Sequence, residues 1–178
     1  MKKSLGFTLV ELLVTLSILA TLVTLAAPSV AGLVQSGNVA SAVNTFLADL
    51  RFARGEAIRR GSAVVICRSD APEAASPTCS NTSARGWAAG WIVYEERDGS
   101  GGVGNGDKLL RIQAPLDGVD GAASIKNDFT FTSLGRSQAA AGNVIFGADM
   151  LEQRKRKVCI GFTGRARIAA DASADCDA

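Results

Sequence analysis

No histidine occurs anywhere in the 178 residues. That absence excludes a Ser-His-Asp triad, a Cys-His pair and histidine-ligated zinc. The four cysteines, at positions 67, 79, 159 and 176, contain no Cys-x-x-Cys spacing, so nothing points to a zinc ribbon or a thioredoxin-like redox site. A large excess of one charge is also missing. The net charge is +2, which carries no global signal for a polyanionic partner. No internal repeat and no second domain are evident, and no catalytic constellation, metal set or cofactor motif is found. The longest absence is of charge itself. After Glu11 no charged residue appears until Asp49.

What fills that gap is oil. Phe7 to Ala27 reads FTLVELLVTLSILATLVTLAA, 21 residues with Glu11 as the single charge. About 20 apolar residues span the hydrocarbon core of a bilayer. A carboxylate near that core costs roughly 2.5–3.5 kcal/mol, so Glu11 requires a function. A cleaved secretory signal would use Lys2 and Lys3 as its basic region and Ser29-Val30-Ala31 as its cleavage site. Such signals have apolar regions of about 7–15 residues and carry no acid. An ordinary membrane anchor fits the length but leaves Glu11 without a purpose. Either way, Lys2 and Lys3 place the N-terminus in the cytoplasm and the body in the periplasm.

A third account uses every residue. The basic leader MKKSLG ends in Gly6, Phe7 follows, and Glu11 is the fifth residue counted from Phe7. This resembles the class III signal of type IV pilins and type II secretion pseudopilins. The resemblance implies a prepilin peptidase that cuts between Gly6 and Phe7 and N-methylates Phe7. Pro28 lies where such pilins often carry a helix-bending proline. In a filament, Glu11 of one subunit would meet the new amino terminus of Phe7 in its neighbour. Pairing removes much of the cost of each buried charge.

The expected organisation follows from this: a leader at 1–6, a transmembrane helix segment at 7–27, an amphipathic helix at 28–61 and a β-rich head at 62–178. Val39, Val43, Phe46, Leu50 and Ala57, with Ala42, Leu47 and Ala53 beside them, form one apolar stripe at helical spacing. Arg51, Arg54, Arg59 and Arg60, with Glu56, crowd the end of this helix, where cations suit the dipole, and Gly61 is a natural stop. Strands are expected at Ser62–Arg68, Trp87–Tyr94, Lys108–Gln113, Phe129–Thr132, Asn143–Phe146, Lys155–Phe162 and Arg165–Ala169. A long helix followed by short strands predicts an α+β fold, with the helix stripe packed on an antiparallel sheet. Four cysteines behind an export signal predict two disulfides. The pairs Cys67–Cys79 and Cys159–Cys176 are favoured because each closes a short loop.

Later segments narrow the resemblance. The stretch GWIVYEERDG…DKLLR, a central motif F…SLGR and a closing VCIGFTGRARIA are similar to the GspH/FimT group of minor pilins and pseudopilins, which implies a type IV pilin-like fold and other pilins as partners. Asp98, Ser100, Asn105 and Asp107 offer oxygen ligands for calcium, but the spacing matches no EF-hand, and a hairpin turn accounts for them. Trp87 and Trp91 have sheet-face spacing and are expected in the core.

The remaining constellation is basic. Arg154, Lys155, Arg156, Lys157, Arg165 and Arg167 fall in a window with no acid. Val158, Ile160 and Phe162 are expected to alternate inward, as are Ala166 and Ile168. Arg165 and Arg167, two apart in a strand, would then share a side at a separation of roughly 6.6 Å and could engage successive phosphates. In FimT-like minor pilins a Gly-Arg-x-Arg element is associated with DNA binding during uptake. Here it reads Gly164-Arg165-Ala166-Arg167. Asp171, Asp175 and Asp177 in the tail would offset part of this field.

Overall fold

A computed structural model describes residues 7–82, 84–99, 102–104, 106–119, 121–138, 142–169 and 171–176, with the side chains of 25–29 outside the described set. The chain divides into two compact units, Met1–Ser36 and Gly37–Ala178. One helix, α1, runs Leu9–Arg60 and contributes to both. The expected leader, including Gly6, lies outside the described residues.

In the first unit α1 is apolar all round. Leu9, Val10, Leu12, Leu13, Val14, Leu16, Ile18, Leu19, Leu22 and Val23 are all exposed. A helix of this kind is stable only when something else covers it. Among the described residues no helix is long and apolar enough to cross a membrane. The side chains of 25–29, which fall within and just past the apolar run of the sequence, are not among them.

In the second unit the helical stripe is buried as its spacing predicts. Val39, Ala42, Val43, Phe46, Leu47, Leu50, Ala53 and Ala57 all belong to the main core. The helix stops where Gly61 adopts positive φ, 68°, and donates its N–H to the Ala57 carbonyl at 3.0 Å. The cations near this end have specific partners. Arg59 and Arg60 hold Glu56, Arg60 also reaches Glu95, and Arg54 donates to the Gly135 carbonyl at 2.9 Å.

Eight strands follow: β1 Ala63–Arg68, β2 Trp91–Glu96, β3 Lys108–Gln113, β4 Ala122–Ala123, β5 Asp128–Phe131, β6 Gly142–Phe146, β7 Arg156–Ile160 and β8 Ala166–Ile168. They form two four-stranded antiparallel sheets, β3-β2-β1-β5 and β4-β6-β7-β8, where a single sheet was expected. The fold class is α+β, as expected. Alternation places Val64 and Ile66 of β1, Trp91 and Val93 of β2, Val144 and Phe146 of β6, and Val158 and Ile160 of β7 in the core shared with α1. Phe46 sits among four aromatic rings, with centroids 5.0 Å from Trp87, 5.1 Å from Trp91, 6.4 Å from Phe129 and 5.4 Å from Phe146. The Trp91 indole donates to buried Asp49 at 2.8 Å, and Arg111 neutralises that carboxylate at 2.5 Å.

One strand expectation is corrected. Trp87–Ala89 is a 3₁₀ turn between Gly86 and Gly90, so β2 begins at Trp91. Trp87 is nevertheless fully buried, its indole donating to the Lys126 carbonyl at 3.0 Å. Both favoured disulfides are present, Cys67–Cys79 with Cα atoms 5.6 Å apart and Cys159–Cys176 with Cα atoms 5.4 Å apart.

Candidate functional site

At the start of α1, Glu11 has local partners. The Thr8 N–H donates to the Glu11 carboxylate at 2.9 Å, the Thr8 hydroxyl donates to it at 2.8 Å, and the Glu11 N–H donates to the Thr8 hydroxyl at 3.2 Å. This is a reciprocal capping box, with Thr8 as N-cap and Glu11 three residues on. The sequence carries the signal for this cap as Thr-x-x-Glu, Thr8 to Glu11. Phe7, immediately before the cap, is exposed.

The basic constellation lies on the hairpin of β7 and β8. Ile160 pairs with Ala166, Cys159 with Arg167 and Val158 with Ile168. The connecting turn is closed by Gly161 N–H to the Arg165 carbonyl at 3.0 Å and Gly164 N–H to the Gly161 carbonyl at 2.9 Å. Gly164 has a φ of 73°, and a Cβ there would strike the carbonyl of Gly135. The glycine that opens the Gly-Arg-x-Arg element is therefore required by the close approach of two turns, independent of any ligand.

Arg165 and Arg167 line one cleft of about 380 Å³, with Cys159, Gly161, Thr163, Ala166 and Cys176 as the other walls. Both arginines are exposed, as the two-residue spacing predicts. The Arg165 side chain makes no hydrogen bond or ion pair among the described residues. Arg167 donates to the Cys176 carbonyl at 2.9 Å. The C-terminal tail thus packs over this sheet face, held by the Cys159–Cys176 disulfide, by Arg167 and by Lys157, whose Nζ donates to the Ala174 carbonyl at 2.8 Å.

Of the run 154–157, Lys157 lies on the same sheet face as Arg167, two residues before Cys159 in β7, and the other three are placed differently. Arg154 ends a short 3₁₀ turn, Glu152–Arg154. Lys155 pairs with Glu152 at 2.7 Å. Arg156 faces the far end of β6 opposite Phe146 and donates to the Gln153 and Lys155 carbonyls. Strand alternation sends Arg156 and Lys157 to opposite faces. In the tail, Asp171 is spent on a turn: the Ser173 hydroxyl and the N–H groups of Ala174 and Ser173 hold its carboxyl below the usual range. Asp177 lies outside the described residues.

Two inward assignments are corrected. Phe162 is 57% exposed, because the strand ends at Ile160 and Phe162 belongs to the turn. Ile168 is 42% exposed, because β8 is the sheet edge and nothing flanks it on that side among the described residues. The exposed Phe162 ring stands three residues from Arg165. A further cation escaped the sequence reading. The Phe162 carbonyl accepts the Ser137 N–H at 3.1 Å, which brings the turn Ser133-Leu134-Gly135-Arg136 against the hairpin turn. Arg136 is exposed there. The SLGR and GRAR motifs, far apart in sequence, are neighbours.

The acidic loop after β2 closes as a hairpin. Asp107 accepts the N–H groups of Arg97 at 2.7 Å and Gly104 at 2.8 Å. Glu96, Asp98 and Asp107 converge with ligand atoms within 4.8 Å of one another, and burial and the adjacent Asp107 push Glu96 up. Ser100 and Asn105 lie outside the described residues.

The family model described as type II transport protein GspH matches residues 42–164, well over half of the chain. The chain belongs to the GspH family. A prokaryotic N-terminal methylation motif matches residues 1–27. Two crystal structures of the type IV minor pilin FimU from Pseudomonas aeruginosa share the fold. One aligns with a TM-score of 0.59 at 18% identity, over 79% of this chain and 96% of that chain. The other aligns with a TM-score of 0.55 at 19% identity, over 76% of this chain and 98% of that chain. A comparison with curated proteins finds no significant match. The GspH match ends at Gly164, so Arg165 and Arg167 fall beyond it.

Proposed function

We propose that this GspH-family subunit is a minor pilin of a Gram-negative type IV pilus, that it helps initiate pilus assembly, and that its head binds DNA during uptake. The observation that carries the DNA role is the pair Arg165 and Arg167 on one cleft, beside the exposed Phe162 and Arg136. The role is structural and adhesive. Before assembly, residues 7–27 anchor the subunit in the inner membrane with its N-terminus cytoplasmic and its head periplasmic. Prepilin peptidase cuts between Gly6 and Phe7 and methylates Phe7. The apolar surface of α1 then packs on other pilins, and Glu11 pairs with the amino terminus of Phe7 in a neighbour.

A second reading is favoured by the description of the matched family: a GspH-like minor pseudopilin of a type II secretion system, with other pseudopilins as partners. The test is made in a naturally transformable strain that carries this protein. Arg165→Gln with Arg167→Gln should leave piliation and protein export intact and lower transformation. Deletion that abolishes export and spares transformation would establish the pseudopilin instead. N-terminal mass spectrometry of membrane-extracted protein should find N-methyl-Phe7. A mature start at Gly32 would remove the filament argument.

The capping box sharpens the test of Glu11. Glu11→Gln retains the acceptor for the Thr8 N–H but removes the charge. If the charge pairs between subunits, Glu11→Gln should impair incorporation nearly as much as Glu11→Val. If capping is the whole role, Glu11→Gln should assemble normally.

A further inference from the structure

We propose that Arg68, with Arg85, forms a socket for a single carboxylate at the C-terminal end of β1 in the first sheet. Arg68 ends β1 opposite Trp91, on the face that carries Val64 and Ile66 into the core. It is 5% exposed. Its Nε and Nη2 atoms are buried and have no hydrogen-bond acceptor, and the adjacent Ser69 hydroxyl is in the same state. A guanidinium cannot shed its proton in a protein. An uncompensated buried charge is among the most destabilising features a core can hold. Elsewhere in the head, buried charges are paired: Asp49 has Arg111 and Trp91, and Glu95 has Arg60, Ser62 and Arg97. Arg68 is different.

Arg68 lines a cleft of about 250 Å³. Arg85 lines it too, while donating Nη2 to the Leu116 carbonyl at 2.6 Å. The remaining walls are mainly small, among them Gly86, Ala122 and Ser124. Asp149 is the acid on the rim, and it forms no ion pair among the described residues. Arg68 brings one buried positive charge, and its Nε and Nη2 have no acceptor. That favours a monoanion over a phosphate dianion. The planar fork of arginine fits a planar carboxylate through two parallel hydrogen bonds. The carboxylate comes either from an Asp or Glu side chain of a neighbouring subunit or from a free small acid.

The test uses the full-length protein in a non-ionic detergent, followed by thermal unfolding. Sodium acetate is titrated against sodium chloride at constant ionic strength. A ligand that binds only the folded state raises Tm in a saturable way. Wild type should show this, and Arg68→Met should not, while melting higher than wild type in chloride because the unpaired charge is gone. A blocked tripeptide, acetyl-Gly-Glu-Gly-amide, separates the sources. A saturable rise with the peptide as well as acetate assigns the socket to a subunit side chain. A rise with acetate alone assigns it to a free acid. Asp149 lies on the rim, so Asp149→Asn keeps the fold and should lower the acetate midpoint about twofold, the order expected when one nearby unit charge is removed in water. No saturable acetate effect, or the same effect in Arg68→Met, overturns the proposal. If Arg68→Met does not fold, an acetate midpoint unchanged in Asp149→Asn overturns it alone.

Discussion

Arg165 and Arg167 together should account for two phosphate contacts on duplex DNA, and salt measures that number directly. Each neutralised phosphate adds about 0.9 to the log–log slope of affinity against salt. Replacing both arginines with Gln should therefore flatten the slope by about 1.8. Between about 50 mM and about 200 mM salt, that slope difference shrinks the wild-type advantage roughly tenfold. The structure refines which other cations matter. Arg136 lies on the turn that abuts the hairpin, so Arg136→Gln should remove up to one further contact. Lys155 is paired with Glu152, and Arg156 lies on the face of β7 opposite to that of Arg167. Substituting those two with Gln should change the slope by much less than the Arg165 and Arg167 pair does. The assay is a titration of the unit Gly37–Ala178 with labelled duplex at several salt concentrations. Expected affinities are weak, about 10⁻⁴–10⁻⁶ M, as for non-specific contacts generally. Equal slopes for wild type and the double variant would refute the phosphate role and leave the pseudopilin as the better account. A larger slope change from the 155–156 pair would relocate the site to the start of β7.

The exposed Phe162 ring makes a different prediction on single strands. Phe162→Ala should weaken single-stranded DNA by about 1 kcal/mol or more and leave duplex affinity nearly unchanged, since stacking needs an unpaired base. In the core, Phe46→Ala should cost about 3–5 kcal/mol in urea unfolding, because four aromatic rings lose their shared partner. A loss under about 1 kcal/mol would mean that the cluster refills the space. Acid should loosen the end of α1. Hydrogen bonds from Arg59 and then Arg60 hold Glu56 down to about 2. Burial pushes Glu95 up, but bonds from Arg97, Ser62 and Arg60 outweigh it and leave the carboxyl below its ordinary value. Both folded values are depressed, so this stabilisation is complete above an ordinary carboxylate pKa of 4.5 and is lost as pH falls toward about 2. Urea midpoints measured down that range should fall, and Glu95→Gln should flatten the decline. A flat wild-type profile would contradict the network.

Features with a local cause were legible in the sequence. The core stripe of α1 follows from a 3.6-residue period, the stop at Gly61 from glycine's tolerance of positive φ, and both disulfides from short loops between export-competent cysteines. Features set by distant partners were not. The division into two sheets depends on β1 choosing β5 across dozens of residues, while β6 takes β4 and β7 as its neighbours. The expected strand at Trp87 fails because Gly86 and Gly90 bend the backbone on either side of a 3₁₀ turn, although both tryptophans still reach the core. In the sequence Arg68 is only the last residue of an expected strand. Only the packing shows it buried without an acceptor.

The basic hairpin shows where pattern and packing must be combined. Alternation correctly places Arg165 and Arg167 on one side, but applied past Ile160 it turns Phe162 inward, where the turn sends it to solvent. Alternation also breaks up the run 154–157 that looks like one patch in the sequence. The contact that organises the site is the Gly164 backbone against the Gly135 carbonyl, with Arg54 of α1 donating to that same carbonyl. A change at Gly164 or Gly135 thus acts on the hairpin through packing alone, with no ligand group altered. Loss of DNA affinity in such a variant would report the position of Arg165, and only the arginine substitutions report its charge. Separating these requires that the Gln variants keep the unfolding midpoint of wild type while their salt slope falls.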